Sequence, residues 1–240
     1  MTLADGTTFT TAHWNITSTI DIRPRADNGL VNTPPTATVI SPYGIPYNVT
    51  TQIVIPTMDV DGDDVRCRWG NTTAECGSVC YPLTTPIGTT LSSDCTLTIT
   101  GTSTTGWYCV SIQIEDFLNT STSLSPMSST PIQFLIYVYK QNNCSEPILT
   151  SSLTCVGVQV GLPTTITLTV LNSCGSSSNI SSIAMQSFSG IVQGPLVLIT
   201  SNKTLYAMNI TYTPLASQVG LQILCARALD KSVNKQSNLR

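Results

Sequence analysis

The chain has 240 residues and a net charge of −3, and only 10% of its residues are charged, against about 25% in a typical soluble domain. Serine and threonine together number 65, so hydroxyl groups rather than charges solvate the surface. The acidic balance leaves no basic stripe for a phosphate backbone and excludes nucleic acid as an expected partner. No apolar run reaches the 18 residues that a membrane-spanning helix needs.

The first 33 residues are predicted to be an extension that precedes the folded modules. Met1–Gly6 has neither the basic start nor the apolar run of a secretory signal, so we expect a mature product or a fragment. From residue 12 to residue 22 mainly apolar residues alternate with polar ones, which predicts a strand with one apolar face and no local partner. Pro24, the Asp27-Asn28-Gly29 turn and the Pro34-Pro35 pair then predict a linker over residues 23–33.

Two similar stretches divide the rest of the chain. Gly106–Asp116 and Gly220–Asp230 each begin with glycine, end with aspartate, carry one cysteine and alternate apolar with other residues. We interpret them as the same strand of a β-module that occurs twice, in residues 34–141 and 142–240. Closely spaced strands without helical periodicity predict an all-β fold of two tandem antiparallel sandwiches.

Each module is predicted to contain six strands. In the first module they lie near residues 37–41, 48–56, 65–69, 96–100, 107–117 and 132–139. In the second they lie near residues 154–160, 164–171, 180–188, 196–200, 205–212 and 221–229. The last strand of the first module is predicted to begin 16 residues after Asp116. Its counterpart would begin beyond residue 240, so the second module is predicted to lack its last strand.

Three stretches of the first module carry a family resemblance. Asp59–Trp69, Thr100–Gly106 and Ile112–Asp116 resemble the cadherin-like and immunoglobulin-like sandwich modules of extracellular surface proteins, and also secreted repeat proteins of invertebrates. The likeness covers most of residues 34–140 and, more loosely, residues 145–230. The resemblance implies adhesion or structural tiling, with no catalysis in the module. The chain departs from the antibody pattern because Trp69 follows Cys67 by two residues and the predicted second strand has no cysteine.

An acidic turn is the candidate metal site. The acidic residues concerned are Asp59, Asp61, Asp63 and Asp64 in the turn, with Glu115 and Asp116 at the end of the predicted long strand. Carboxylates so close together repel one another unless they are well hydrated or a cation neutralises them. We therefore expect either a Ca²⁺ site formed by Asp59, Asp61 and Asp63 with the two strand-end residues, or a solvated acidic turn.

The nine cysteines indicate an oxidising, extracellular location. In the first module the cluster is Cys67, Cys76, Cys80 and Cys95. Four thiolates at this spacing can bind zinc, but in a secreted chain two disulfides are expected. The sequence leaves three pairings open, and we favour Cys67–Cys76 with Cys80–Cys95. Two further bridges are expected among Cys144, Cys155, Cys174 and Cys225, which leaves Cys109 as a buried thiol or an intermolecular link.

Glycosylation acceptors support the same location. The chain has eight Asn-x-Ser/Thr sequences, roughly twice the number that its composition gives by chance. They are Asn15, Asn48, Asn71, Asn119, Asn143, Asn179, Asn202 and Asn209. We expect N-linked glycans and no other cofactor apart from the candidate Ca²⁺.

The sequence contains no catalytic constellation. His13 is the single histidine, so no Ser-His-acid or Cys-His relay can be assembled, and no enzyme is expected. Trp14, Trp69 and Trp107 are predicted to pack in cores rather than to stack on sugars.

These patterns predict a structural extracellular glycoprotein that assembles head-to-tail into a fibril of identical copies. Residues 12–22 of one copy are expected to supply the missing last strand of the next, a mode that resembles donor-strand exchange in bacterial pili. The residues buried by this assembly would be Trp14, Ile16, Ile20 and Ile22. The alternative is an adhesion or ligand-binding fragment of a longer multi-module surface protein, with the acidic turn as a calcium-dependent contact.

Overall fold

The structure, a computed structural model, describes residues 12–100, 104–118, 123–140, 146–153, 155–199, 201, 204–230 and 236–238. The chain divides into two compact units, Met1–Lys140 (unit 1) and Gln141–Arg240 (unit 2). Nearly all of the regular structure is β-strand, which confirms the predicted all-β fold. Within these described residues, no helix has the length and hydropathy of a membrane-spanning segment.

The described part of unit 1 contains ten strands and one helical turn. The strands are β1 (Thr19–Ile20), β2 (Thr36–Ala37), β3 (Tyr43–Pro46), β4 (Thr50–Val54), β5 (Thr57–Met58), β6 (Asp64–Trp69), β7 (Thr90–Leu91), β8 (Thr96–Thr100), β9 (Gly106–Phe117) and β10 (Ser128–Tyr139), and the helical turn α1 (Thr73–Cys76) follows β6.

Two sheets of unit 1 face each other across one core. One sheet has the order β1-β10-β9-β6 with β3 parallel to β10, and the other has the order β4-β8-β7. Ile112 of β9, Ile136 of β10 and Ile99 of β8 are fully buried in the same apolar cluster. Their β-branched side chains suit the pleated surface of a strand, and each such burial stabilises the fold by about 1.5–3 kcal/mol.

The N-terminal segment is part of unit 1, so its predicted lack of a local partner is wrong. Thr19 and Ile20 form β1, which pairs antiparallel with Ser129 and Ser128 of β10. The backbone N–H of Asp21 extends this ladder by donating to the Met127 carbonyl at 3.1 Å. The hydrophobic periodicity of residues 12–22 did not reveal this partner, because polar and backbone groups of the segment make its contacts with unit 1.

The described part of unit 2 contains eight strands. They are β11 (Ile148–Ser151), β12 (Thr164–Leu171), β13 (Ile180–Gln186), β14 (Ile191–Gln193), β15 (Val197–Leu198), β16 (Leu205–Tyr212), β17 (Cys225–Asp230) and β18 (Gln236–Asn238).

Unit 2 is also built from two sheets that share a core. One sheet has the order β11-β12-β16-β14, with β15 also on β16, and the other has the order β13-β17-β18. Leu168, Ile210, Ile183 and Ala228 come from four of these strands and lie in one buried cluster. Unit 2 therefore has its own core.

Two predictions for unit 2 are corrected. Residues 155–160 form no strand; Ile148–Ser151 instead occupies the edge of β12, and Val156, Val158 and Val160 stay exposed. The edge of β17 that was predicted to be open is partly covered, because β18 pairs antiparallel with residues 227–229.

Candidate functional site

The acidic turn connects β5 to β6 and folds around one carboxylate. Asp59 Oδ1 accepts the backbone N–H groups of Asp61 at 2.8 Å and Asp63 at 3.2 Å. Gly62 has a φ of +80°, a conformation that favours glycine. As a result, carboxylate oxygens of the three aspartates lie within 4.8 Å of one another.

A guanidinium group neutralises this cluster in part. The Arg25 side chain is only 5% exposed and forms a two-pronged contact with Asp63, at 2.5 Å and 2.7 Å. It also lies 3.2 Å from Asp61 and donates twice to Asp27 at 3.0 Å. The bonds to Asp63 and Asp27 raise the pKa of Arg25 above its already high value.

Asp116 ties the end of β9 to the same region. Its side chain is fully buried, and it accepts from the Asn32 amide at 2.6 Å and from the Ser128 backbone N–H at 2.5 Å. Burial raises the pKa of Asp116, and the nearby Asp59 carboxylate acts in the same direction, while the two hydrogen bonds oppose the rise. Asn32 also donates to Ser128 Oγ at 2.8 Å, so the residues before β2 are fixed to the β9–β10 turn.

The donor set fits a calcium ion only in part. Oxygen ligands are what Ca²⁺ requires, and Asp59 Oδ2 is buried with no hydrogen-bond partner among the described residues. Arg25, however, already places a positive charge on Asp61 and Asp63, which opposes a second cation there. The chemistry that Ca²⁺ would supply is further neutralisation of Asp59 and its neighbours.

Glu115 lies apart from the other predicted metal ligands. Adjacent residues of a strand point to opposite faces, so Glu115 faces away from Asp116 and accepts from Arg68 Nε at 2.8 Å. Arg68 also donates to both oxygens of Glu75 at 2.8 and 2.9 Å. These bonds lower the pKa of Glu75 and attach α1 to the sheet.

The four cysteines of the first cluster are paired, but not in the favoured way. The disulfides are Cys67–Cys95 and Cys76–Cys80, which close separations of 28 and 4 residues. Both Cys67 and Cys95 belong to the apolar core cluster. The first bridge therefore crosses the core, a relation that spacing along the chain did not reveal.

The cysteines of unit 2 differ from the expectation of two bridges. Cys174 is disulfide-bonded, whereas Cys155 and Cys225 are free thiols, and Cys144 lies outside the described residues. Cys155 is exposed in a loop and Cys225 begins β17. Cys109 is a buried free thiol, and burial raises its pKa to about 11.

The described glycosylation acceptors fall into two groups. Asn15, Asn48, Asn71 and Asn209 are exposed, and Asn179 is half-buried with its Oδ1 buried and unpaired among described groups. The acceptors outside the described residues are Asn119, Asn143 and Asn202.

The expected packing of all three tryptophans in cores also needs correction. Trp69 stacks on Tyr81 with 4.2 Å between the ring centroids. The side chains of Trp14 and Trp107, however, are more than one-third exposed. The side chains of Ile16, Ile20 and Ile22 are exposed as well. In this molecule the apolar face of the N-terminal segment therefore points to solvent.

Sequence reasoning missed Arg25, Asn32 and Arg68, the three residues that organise the carboxylates. The composition contained a usable signal for a buried ion pair, since the chain has only ten basic residues and 13 acidic ones. Buried charges are almost always paired, so an acidic turn that folds inward needs an arginine or lysine nearby.

Comparison with known proteins adds no assignment, because no protein-family model matches the chain and a search of curated proteins gave no match.

The buried guanidinium gives the first prediction. Arg25→Met should lower the free energy of unfolding by about 3–5 kcal/mol, because it leaves Asp63 buried without its charged partner. All three tryptophans lie in unit 1, so tryptophan fluorescence during urea unfolding reports this unit. Arg23→Met is the matched control: the Arg23 side chain is 84% exposed and its loss should change stability by less than about 0.5 kcal/mol. Equal effects of the two substitutions would contradict the assignment.

The second prediction concerns pH. Burial raises the pKa of Asp59, so its contribution to stability is present below the ordinary carboxyl pKa and is lost as pH rises through the raised value. Asp59→Asn should therefore raise the free energy of unfolding at pH 7 in metal-free buffer, and much less at pH 3. Asp94→Asn is an opposite-sign control, because the Ser92 hydroxyl lowers the pKa of Asp94.

Both variants are compared with the unsubstituted chain by urea unfolding at each pH. If calcium binds, added CaCl₂ should stabilise the unsubstituted chain and not Asp59→Asn. A loss of stability at pH 7 in Asp59→Asn without metal would contradict the pH argument.

Proposed function

We propose that the chain is a non-enzymatic, N-glycosylated extracellular protein whose tandem sandwich modules serve in adhesion or ligand binding. The observation that carries this proposal is the strand order of unit 2. β11-β12-β16-β14 faces β13-β17-β18, which is the order of the two sheets in seven-stranded immunoglobulin-type sandwiches. In unit 1, β4-β8-β7 opposite β6-β9-β10 follows the same order.

Covalent features support the extracellular part of the proposal. Disulfides such as Cys67–Cys95 persist in oxidising compartments, and this one crosses a core that is otherwise apolar. Asn48, Asn71 and Asn209 are exposed acceptors, where a sugar meets no steric obstacle from the core. The Asn15 Nδ2, which a glycan would modify, instead donates to the Thr73 carbonyl.

The state of the carboxylates supports a binding or structural role rather than a catalytic one. Asp116 is fully buried and cannot meet a substrate. Asp63 is bound by Arg25, and Glu75 and Glu115 are bound by Arg68. In each case the carboxylate joins two parts of the fold.

The test is secretion of the full chain from eukaryotic cells, followed by peptide mapping and a bead-aggregation assay. We expect glycans on Asn48, Asn71 and Asn209, the Cys67–Cys95 disulfide, and protein-coated beads that aggregate or bind cells. Beads coated with heat-unfolded protein are the control. Material without glycans or this disulfide would contradict the extracellular assignment, and inert beads would contradict the adhesive one.

Fibril assembly by strand donation is a second candidate, favoured by two observations. Trp14, Ile16, Ile20 and Ile22 form an exposed apolar row. In addition, β18 pairs with only three of the six residues of β17 in the described register. Residues 12–22 of another copy would extend that edge, but donation has to break the contacts of the segment with unit 1.

Electron microscopy of the full chain tests this candidate. If the apolar row binds the edge of β17, Ile20→Asp should abolish filaments, because it places a charge in an apolar interface. Leu124→Asp is the matched control, since Leu124 is 94% exposed and outside the row. The candidate fails if the full chain forms no filaments, or if both variants form them equally.

A further inference from the structure

The outer face of the long sheet in unit 1 is polar and yet buried. Ser111 and Gln113 of β9 point away from the core, but they are 2% and 0% exposed. Ser129 of β10 is also buried and donates to Gln113 Oε1 at 2.9 Å. The outward face of an antiparallel sheet is often exposed to water, so the burial of these polar residues means that another part of unit 1 covers them.

Residues 13–17 cover this face together with α1, whose Glu75 carbonyl accepts from Ser111 Oγ at 3.2 Å. The sheet holds residues 13–17 through their backbone. Gln133 Nε2 donates to the carbonyl of Asn15 at 2.6 Å, and Gln113 Nε2 donates to the carbonyl of Thr17 at 3.4 Å. At the other end, the Ser78 N–H donates to the His13 carbonyl at 2.9 Å, and the His13 N–H donates to Ser78 Oγ at 3.0 Å.

Two polar side chains of the segment complete the contact. Asn15 Nδ2 donates to the Thr73 carbonyl at 2.7 Å, and Thr17 Oγ1 donates to the Ala74 carbonyl at 2.8 Å. Ile16, which lies between them, is 67% exposed. The segment is therefore bound by its polar side, which is the reverse of ordinary amphipathic docking.

The receiving surface is held in place without the segment. The Cys76–Cys80 disulfide closes the loop that follows α1. Thr72 caps α1 by accepting from the Glu75 N–H, and Arg68 fixes the Glu75 carboxylate. A preorganised surface of this kind loses little freedom on binding.

We propose that this face of unit 1 is a binding site for an extended polypeptide and that its ligand is the segment of residues 12–17. Each molecule binds its own segment, and the site binds the same segment of a second copy when its own is removed. Recognition comes from the two glutamine amides, from Ser78 and from the carbonyl groups of α1. Without a ligand the Gln113 amide loses its acceptor, the Thr17 carbonyl, and Gln133 loses the Asn15 carbonyl.

The inference is independent of the adhesive role and of strand donation to unit 2, because it concerns a different surface. It also differs in chemistry. Donation to β17 depends on the apolar row, whereas this site depends on Asn15 and Thr17 and on backbone groups.

A chain that lacks residues 1–22 and a synthetic peptide of residues 12–22 provide the test. Fluorescence anisotropy of the labelled peptide should show saturable binding to the shortened chain. Binding to the full chain should be much weaker, because the tethered segment competes at high effective concentration. No saturable binding to the shortened chain would overturn the proposal.

Two altered peptides separate polar from apolar recognition. A peptide with Asn15→Ala and Thr17→Val should bind about tenfold more weakly, because it loses both side-chain donors. A peptide with Ile16→Ser and Ile20→Ser should bind like the original. The reverse order of affinities would also overturn the proposal.

Folding of the shortened chain is followed by the fluorescence of Trp69 and Trp107 with and without peptide, after the signal of Trp14 in the free peptide is subtracted. If the shortened chain is unfolded on its own, we expect the peptide to bind and to restore the fluorescence of the folded state. A chain that stays unfolded with saturating peptide counts against the site.

A substitution in the otherwise full chain gives an independent readout. A Cβ at Gly77 would overlap the His13 carbonyl oxygen, whereas one at Gly88 would meet nothing within 4 Å, and both glycines have positive φ. Ala12 packs on the cluster that contains Cys109, so release of the segment should expose that thiol.

In a background with Cys155→Ser and Cys225→Ser, Gly77→Ala should therefore speed the reaction of Cys109 with a thiol reagent about tenfold or more, as expected when burial is relieved. Gly88→Ala should leave the rate unchanged. Equal rates in the two variants would overturn the proposal.

Discussion

The buried guanidinium of Arg25 joins parts of unit 1 that are distant in sequence. It binds Asp63 of the acidic turn and Asn32 ahead of β2, and Asn32 in turn binds Asp116 at the end of β9. Removing charges from water is costly, and an apolar replacement of the whole set need not weaken the fold. The set instead fixes the path of residues 24–33, since Arg25 contacts Asp63 while Asn32 contacts Asp116.

β9 shows how one strand serves two different surfaces. Its inward residues, such as Val110 and Ile112, lie in the apolar core, and this burial supplies most of the stability that the strand contributes. Its outward residues Ser111 and Gln113 are equally buried but contact polar groups. Unit 1 thus has a third layer, formed by α1 and residues 13–17, which is held mainly by hydrogen bonds beside a small apolar cluster that contains Val79, Cys109 and Ala12.

The sequence predicted well those strands whose alternation reflects a single buried face. β8, β12 and β16 have the predicted bounds, because alternate residues of each strand face one core. In β8 and β12 the inward residues are Leu, Ile and Val with most threonines outward, and in β16 they are Tyr206, Met208, Ile210 and Tyr212. It failed for residues 154–160, where the same alternation exists but Ile148–Ser151 takes the edge of β12. A pattern shows that a segment is able to pair, but competition for an edge is decided in three dimensions.

The candidate site was predicted only in part, because some of its contacts join residues that are distant in sequence. The carboxylates Asp59, Asp61 and Asp63 are close in sequence and had to be close in space. Arg25 is 38 residues from Asp63, and the cysteines of the core bridge are 28 apart, so neither relation follows from spacing. The apolar row of residues 12–22 was recognised from its alternation, but the contacts of the polar residues between, Asn15 and Thr17, with unit 1 were not foreseen.

The parallel pairing of β3 with β10 has a mechanical consequence. Tyr43–Pro46 runs beside residues 136–139 in the same direction, and the Tyr47 N–H adds a bond to the Tyr139 carbonyl at 2.7 Å. Tension between the two ends of unit 1 pulls β3 towards its N-terminal end and β10 towards its C-terminal end. All the backbone hydrogen bonds between these two strands are then loaded in shear at once. The two-residue pairing of β1 gives much less resistance, and under tension the N-terminal segment would detach well before the sandwich opens.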